Sequence, residues 1–170
     1  MQRLILLRHA KAERGAPSGE DFDRALAEAG RADARLIGRV LGEAGLQPTL
    51  AIVSPARRTT ETWQEASQAF PGAQVRHDRR LYNAAARTLR TVVEEEEGGD
   101  GALVLVGHNP GIHQLVLDLL VEGAAAPSTL ARARQKFPTG SAAVFEFDVA
   151  GRPVFDGLYF TADYGGGAGE

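Results

Sequence analysis

Ala102-Leu103-Val104-Leu105-Val106-Gly107-His108-Asn109-Pro110 is the stretch that decides how this chain folds. Its first part is an unbroken apolar run preceded by a glycine-rich turn, Gly98-Gly99-Asp100-Gly101. A strand with one wet face would alternate apolar and polar residues. A short continuous run instead marks a strand covered on both faces, as in parallel sheets. The run ends in polar residues, and Asn109-Pro110 then reads as a helix cap followed by proline at the first helical position. A helix is predicted from there to about Val121.

The same strand, polar edge and helix recur towards the N-terminus. Leu4 to Leu7 is a short apolar run that stops at Arg8-His9. Leu50 to Val53 stops at Ser54-Pro55, again a cap and proline, with a helix predicted to about Ala69 and Pro71-Gly72 as its stop. Ala32, Leu36, Ile37, Val40 and Leu41 fall at helical spacing between Glu28 and Ala44, and Gly45 ends that helix. Gln74 to His77 is a further strand candidate and Arg87 to Glu97 a further helix, with acidic residues at its C-terminus that oppose the helix dipole. Arg8 to Arg24 and Asp78 to Ala86 read as loops, and Glu122 to Arg134 as a small, polar segment with helix at its end. Val144-Phe145-Glu146-Phe147 alternates within a strand predicted from Ala142 to Asp148, and Pro153 to Tyr159 is its hairpin partner across Ala150-Gly151-Arg152. Strands alternating with helices imply an α/β fold: a mostly parallel central sheet with helices on both faces. The expectation is one domain over residues 1–164 and a flexible glycine-rich tail over 165–170.

In such sheets ligands bind beyond the carboxyl ends of the strands. Three polar segments should meet there: Arg8-His9, Ser54 to Arg58, and Gly107-His108-Asn109. Arginine forks match phosphate oxygens, and helix N-termini favour anions. Arg8, Arg58 and His108 are therefore expected to hold a phosphoryl group, with Asn109 beside them. His9 is expected to attack phosphorus as a neutral imidazole and carry the phosphoryl group. Nearby cations disfavour its protonated form. Nothing near the three segments supplies a carboxylate pair for magnesium, and the chain has no cysteine. No metal and no cofactor are expected. His108 and His113 are five apart, not the four that places two ligands on one helix face. His113 and His77 are read as structural and as an exposed edge residue, respectively.

The net charge of −3 argues against nucleic acid as a partner. The N-terminal apolar run is too short for a signal peptide or a membrane span. A cytoplasmic protein with no membrane partner is the expectation.

These motifs carry a family resemblance. Leu6-Leu7-Arg8-His9-Ala10 resembles the R-H-G signature of the histidine phosphatase superfamily, the phosphoglycerate mutase-like fold. Ser54-Pro55-Ala56-Arg57-Arg58-Thr59-Thr60-Glu61-Thr62 is similar to its S-P-x-x-R-A-x-Q-T segment, which selects Arg58 rather than Arg57 as the phosphate ligand. Val106-Gly107-His108-Asn109-Pro110 is similar to its G-H-N-P segment. Asp23-Arg24-Ala25-Leu26 resembles the D-R-P-L-T stretch of the small SixA-type phosphohistidine phosphatases. The resemblance implies a three-layer α/β/α sandwich and a first histidine that is phosphorylated during turnover. The resemblance also places Ala10 in the phosphate pocket, where it departs from the usual glycine, and its methyl is expected to crowd the pocket slightly.

A second departure bears on the substrate. Sugar-phosphate members of the family carry a glutamate general acid after the third strand. The matching stretch here, Leu81-Tyr82-Asn83-Ala84-Ala85-Ala86, has no carboxylate. An alkoxide leaving group needs a proton donor and an imidazole needs one less. A phosphohistidine-bearing protein is therefore the leading substrate. A small phosphorylated metabolite is the alternative, with Asp21 or Asp23 as acid. A phospho-binding module without turnover is the third reading.

Overall fold

The computed structural model describes residues 1–167. In chain order the elements are β1 (Arg3–Arg8), α1 (Glu28–Glu43), β2 (Pro48–Val53), α2 (Arg57–Ala66), β3 (Gln74–His77), α3 (Ala86–Glu94), β4 (Ala102–Gly107), α4 (Gly111–Glu122), α5 (Pro127–Gln135), β5 (Ala142–Phe147) and β6 (Pro153–Tyr159). The six strands form one sheet in the order β3-β2-β4-β1-β5-β6. β3, β2, β4 and β1 are parallel, whereas β5 runs antiparallel to β1 and β6 antiparallel to β5.

The continuous apolar runs fill both sides of this sheet, because successive side chains of a strand point to opposite faces. Leu4, Leu6, Ile52, Leu103, Leu105 and Phe145 pack on one side with residues of α3, α4 and α5. Ile5, Leu7, Ala51, Val53, Val104, Val106 and Val144 pack on the other with Ile37 and Leu41 of α1 and Trp63 of α2. The result is the α/β/α sandwich. Leu6 and Leu105 are fully buried, and truncating either to alanine would cost about 2–5 kcal/mol. β3 is an exposed edge strand along its whole length, so no apolar pattern announces it.

Element ends differ from expectation where proline was read as the first helical residue. α2 starts at Arg57 and α4 at Gly111, each later than the Ser54-Pro55 and Asn109-Pro110 signals indicate. Ser54 does not cap α2, because its hydroxyl is turned to His108. α1 stops as expected. Gly45 has φ +85°, a left-handed conformation open to glycine, and Leu46 N–H bonds back to the carbonyl of Leu41. The polar segment after α4 holds a nine-residue helix, α5, with proline in its first turn. Of the expected tail, the amides of Gly166 and Gly167 bond to the carbonyl of Thr161 and to Oδ1 of Asp33. Residues 168–170 lie outside the described residues. Among the described residues no helix is long and apolar enough to cross a membrane.

Candidate active site

Strand register brings the three polar segments together. Arg8 pairs with Gly107, and Val53 with Val106. Chains leaving β1, β4 and β2 therefore emerge level with one another at the carboxyl edge. His9 N–H donates to the carbonyl of Gly107, and Ser54 N–H to that of Val106. The rings of His9 and His108 end with centroids 5.4 Å apart. Between them and Arg58 lies a cavity of about 260 Å³, lined also by Arg8, Asn109, Lys11, Arg24 and Asn83. Four of these side chains are cationic, so the cavity suits an anion on a chain whose net charge is negative.

His9 is buried, and its Nδ1 lies 2.7 Å from the carbonyl oxygen of Ala10. A carbonyl can only accept, so Nδ1 carries the proton and Nε2 keeps its lone pair. Burial pushes the His9 pKa down from 6.5 to about 4, partly offset by the bond to Ala10 and reinforced by the charges of Arg58, Arg8 and Arg24. His108 is pushed down to about 3, first by burial and then by His9 and Arg58. Its Nε2 lies 2.8 Å from the hydroxyl of Ser54. Both rings are neutral at pH 7.

Arg58 is 5% exposed. It donates to the main-chain oxygen of Asp21 at 2.9 Å and to the carboxylate of Asp21 at 3.0 Å. Its buried Nε has no partner among the described residues. Arg8 donates to the carbonyl of Phe137, which also accepts from Asn109 Nδ2. That one carbonyl thus braces two side chains of the cavity wall.

The expected residues separate into groups. Arg8, His9, Arg58, His108 and Asn109 converge on the cavity. Asn109 precedes the cap residue of α4, Pro110, and its Oδ1 accepts from the first-turn amide of His113. Ala10 does not line the cavity. Its amide donates to Thr62 Oγ1, and its methyl packs with Leu26 and Ala34 instead of crowding an anion. First-turn amides of α4 are satisfied locally, Ile112 by the carbonyl of His108 and His113 by Asn109, which leaves less for an anion than the sequence suggests.

The two acid candidates part company. Asp21 does not line the cavity but bonds to two side chains that do, accepting from Arg24 at 3.0 Å and from Arg58, and it also accepts from the hydroxyl of Tyr82 at 2.7 Å. Tyr82 first, then Arg24 and Arg58, hold its carboxyl well below the usual carboxylate range despite partial desolvation. It is an ion at neutral pH in this arrangement, the opposite of what a general acid requires. Asp23 accepts from Ser18 on the outer loop and does not line the cavity. Arg57 is exposed and paired with Glu61. His113 Nε2 bonds to the carbonyl of Ala133, and His77 sits on the exposed edge strand.

Sequence reasoning missed Lys11, Arg24, Asn83 and Thr139 in the cavity wall. Arg24 lay within the quoted Asp23-to-Leu26 stretch, and Asn83 within the stretch read only for its missing carboxylate. Asn83 has φ +54°, a left-handed conformation that asparagine tolerates better than most residues.

Comparison with known proteins gives a consistent set of likenesses. Residues 4–86 match the family model of the histidine phosphatase superfamily (branch 1). The chain is 33% identical over 120 residues to an uncharacterized chloroplastic protein of Arabidopsis thaliana, a match spanning 65% of this chain and 55% of that protein. It is 32% identical over 141 residues to an uncharacterized protein of Mycobacterium tuberculosis, covering 81% and 85% of the two chains. Among solved structures, a candidate phosphohistidine phosphatase SixA from Agrobacterium tumefaciens is 31% identical, with a TM-score of 0.81 over 94% of this chain and 97% of that one.

Proposed function

Since the chain belongs to the histidine phosphatase superfamily, we propose that it is a phosphatase that passes the phosphoryl group through Nε2 of His9, with phosphohistidine on a protein as its substrate. The observation that carries the substrate reading is the proton inventory of the cavity. Among the described residues no carboxylate lines it; Asp21, bonded to Arg58 and Arg24 of its wall, is held ionised by Tyr82, Arg24 and Arg58, and the stretch Leu81 to Ala86 offers the neutral amide of Asn83 instead.

The steps follow from the positions of the donors. A phosphorylated imidazole enters with its phosphoryl oxygens towards Arg8, Arg58 and His108. The Nε2 lone pair of His9 attacks phosphorus in line. The bond from phosphorus to the substrate nitrogen breaks, and that nitrogen keeps the electron pair. When the distal nitrogen of the substrate ring already carries a proton, the leaving group departs as neutral imidazole without an acid from the enzyme. An alcohol has no such second site. Water then attacks phosphorus, the bond to His9 breaks, and inorganic phosphate leaves. Throughout, Nδ1–H of His9 stays on the carbonyl of Ala10. Fixed donors aimed at the equatorial oxygens supply the charge stabilisation on which phosphoryl transfer depends. This chemistry calls for no metal and no cofactor. A non-catalytic binding module would have no use for a buried imidazole kept as a free base.

The test is a side-by-side assay of a phosphohistidine protein, sugar phosphates and an aryl phosphate, with EDTA present. A positioned acid contributes roughly 10²–10⁴-fold, so phosphohistidine should exceed sugar phosphates by about 100-fold or more, with the aryl phosphate between. A sugar phosphate cleaved faster than phosphohistidine would instead support a phosphatase of small metabolites.

A further inference from the structure

Ser54 directly follows β2 and is fully buried. It takes no part in the chemistry above and does not cap α2. Its hydroxyl lies 2.8 Å from Nε2 of His108 and 3.4 Å from the amide nitrogen of Ala56. An amide can only donate, so the Ala56 contact uses an oxygen lone pair of Ser54. The hydroxyl hydrogen then needs an acceptor, and among the described residues His108 Nε2 is the one within reach. Were Nε2 protonated, a buried hydroxyl would be left without an acceptor, at a cost that folded proteins avoid. Nε2 therefore accepts.

Nδ1 of His108 is buried and has no partner among the described residues. The ring lines the cavity between Arg58 and His9, so Nδ1 is the nitrogen left to serve a ligand there. Resting on the phosphatase reading, we propose that Ser54 is a positioning residue: by donating to Nε2 it keeps the proton of His108 on Nδ1, as a fixed neutral donor for a phosphoryl oxygen. His9 is the same tautomer, set by an acceptor instead of a donor: the carbonyl of Ala10 holds its proton on Nδ1 and leaves Nε2 as the nucleophile. A hydroxyl on one ring and a carbonyl on the other thus assign a donor and an attacker to two neutral histidines facing the same cavity. The arrangement also lets His108 donate without adding a full positive charge to the four cationic side chains of the cavity wall.

The experiment is nitrogen NMR of ring-labelled protein near pH 7, in the intact chain, with Ser54→Ala and Ser54→Thr beside it. His108 should give a protonated Nδ1 and an unprotonated Nε2. Ser54→Ala should shift the ring towards the other tautomer and lower kcat about tenfold, with a smaller change in KM, whereas Ser54→Thr, which keeps the hydroxyl, should restore both. A wild-type ring carrying its proton on Nε2 overturns the proposal, as does an alanine variant with the tautomer unchanged. The wild-type spectrum decides the matter even where the alanine variant does not fold. Absence of phosphatase turnover, by contrast, would count against the function and leave the tautomer measurement standing.

Discussion

The guanidinium of Arg58 grips Asp21 at two points, its main-chain oxygen at 2.9 Å and its carboxylate at 3.0 Å. The segment carrying Asp21 is thereby tied to α2, and the same carboxylate holds the hydroxyl of Tyr82. Asp21 is in this view an orienting anion for Arg58, not a store of protons.

Asp21→Asn separates those two roles. The substitution keeps the main-chain bond and removes the charge that Arg58, Arg24 and Tyr82 share. A hydrogen bond to a charged group is worth about 1.5–3 kcal/mol, so turnover should fall roughly tenfold to a hundredfold. The fall should be the same, within about twofold, for phosphohistidine and for an aryl phosphate. Selective slowing of the aryl phosphate in parallel kinetics would identify Asp21 as the acid after all.

His9 should titrate unlike an ordinary histidine. Its pKa is lowered from 6.5 to about 4, first by burial. An NMR titration of the anion-free protein should find a His9 midpoint near 4, and a midpoint above 6 would contradict the site's electrostatics. The sign for stability follows. Between pH 6.5 and 4 the unfolded chain binds a proton at His9 that the folded chain refuses, so the unfolded state gains as pH falls. His108, lowered by burial and by His9 and Arg58, acts in the same direction. Urea unfolding midpoints should therefore drop as the pH is taken from 7 towards 4.

How much of this was legible in the sequence depended on what kind of signal each part leaves. β4 and β1 were readable because a strand covered on both faces must be apolar throughout, and Leu103 to Val106 and Leu4 to Leu7 are. The meeting of Arg8, Arg58, His9 and His108 followed from parallel strands ending at one edge. Helix starts were less readable, because Ser54 and Asn109 each have a second use for the side chain that local cap rules do not anticipate. Lys11, Arg24 and Asn83 were missed because loop side chains converge through three-dimensional path, which leaves no period in the sequence. Only its match to the family's glycine places Ala10 in the pocket. Its burial with Leu26 and Ala34 reflects the packing of a loop against α1, invisible until both are placed.

That packing makes a stability prediction. Gly30 in α1 lies where an added Cβ would land on the carbonyl oxygen of Lys11, whose side chain lines the cavity. Gly30→Ala must push the loop away from α1, and overpacking of this kind costs about 1–3 kcal/mol. A lower melting temperature is expected together with weaker binding of tungstate or phosphate. The glycine would be shown to be dispensable by an unchanged melting curve in a variant that binds the anion normally.

The proposed mechanism puts the phosphoryl group on Nε2 of His9. Mixing the enzyme briefly with phosphorylated substrate, quenching in base because phosphohistidine is acid-labile, and locating the phosphate by peptide mass spectrometry tests this. Phosphate is expected on His9, formed within one turnover, attached through Nε2 as read by phosphorus NMR, and absent together with activity in His9→Ala. Phosphate found on another residue, or full activity in His9→Ala, would contradict it.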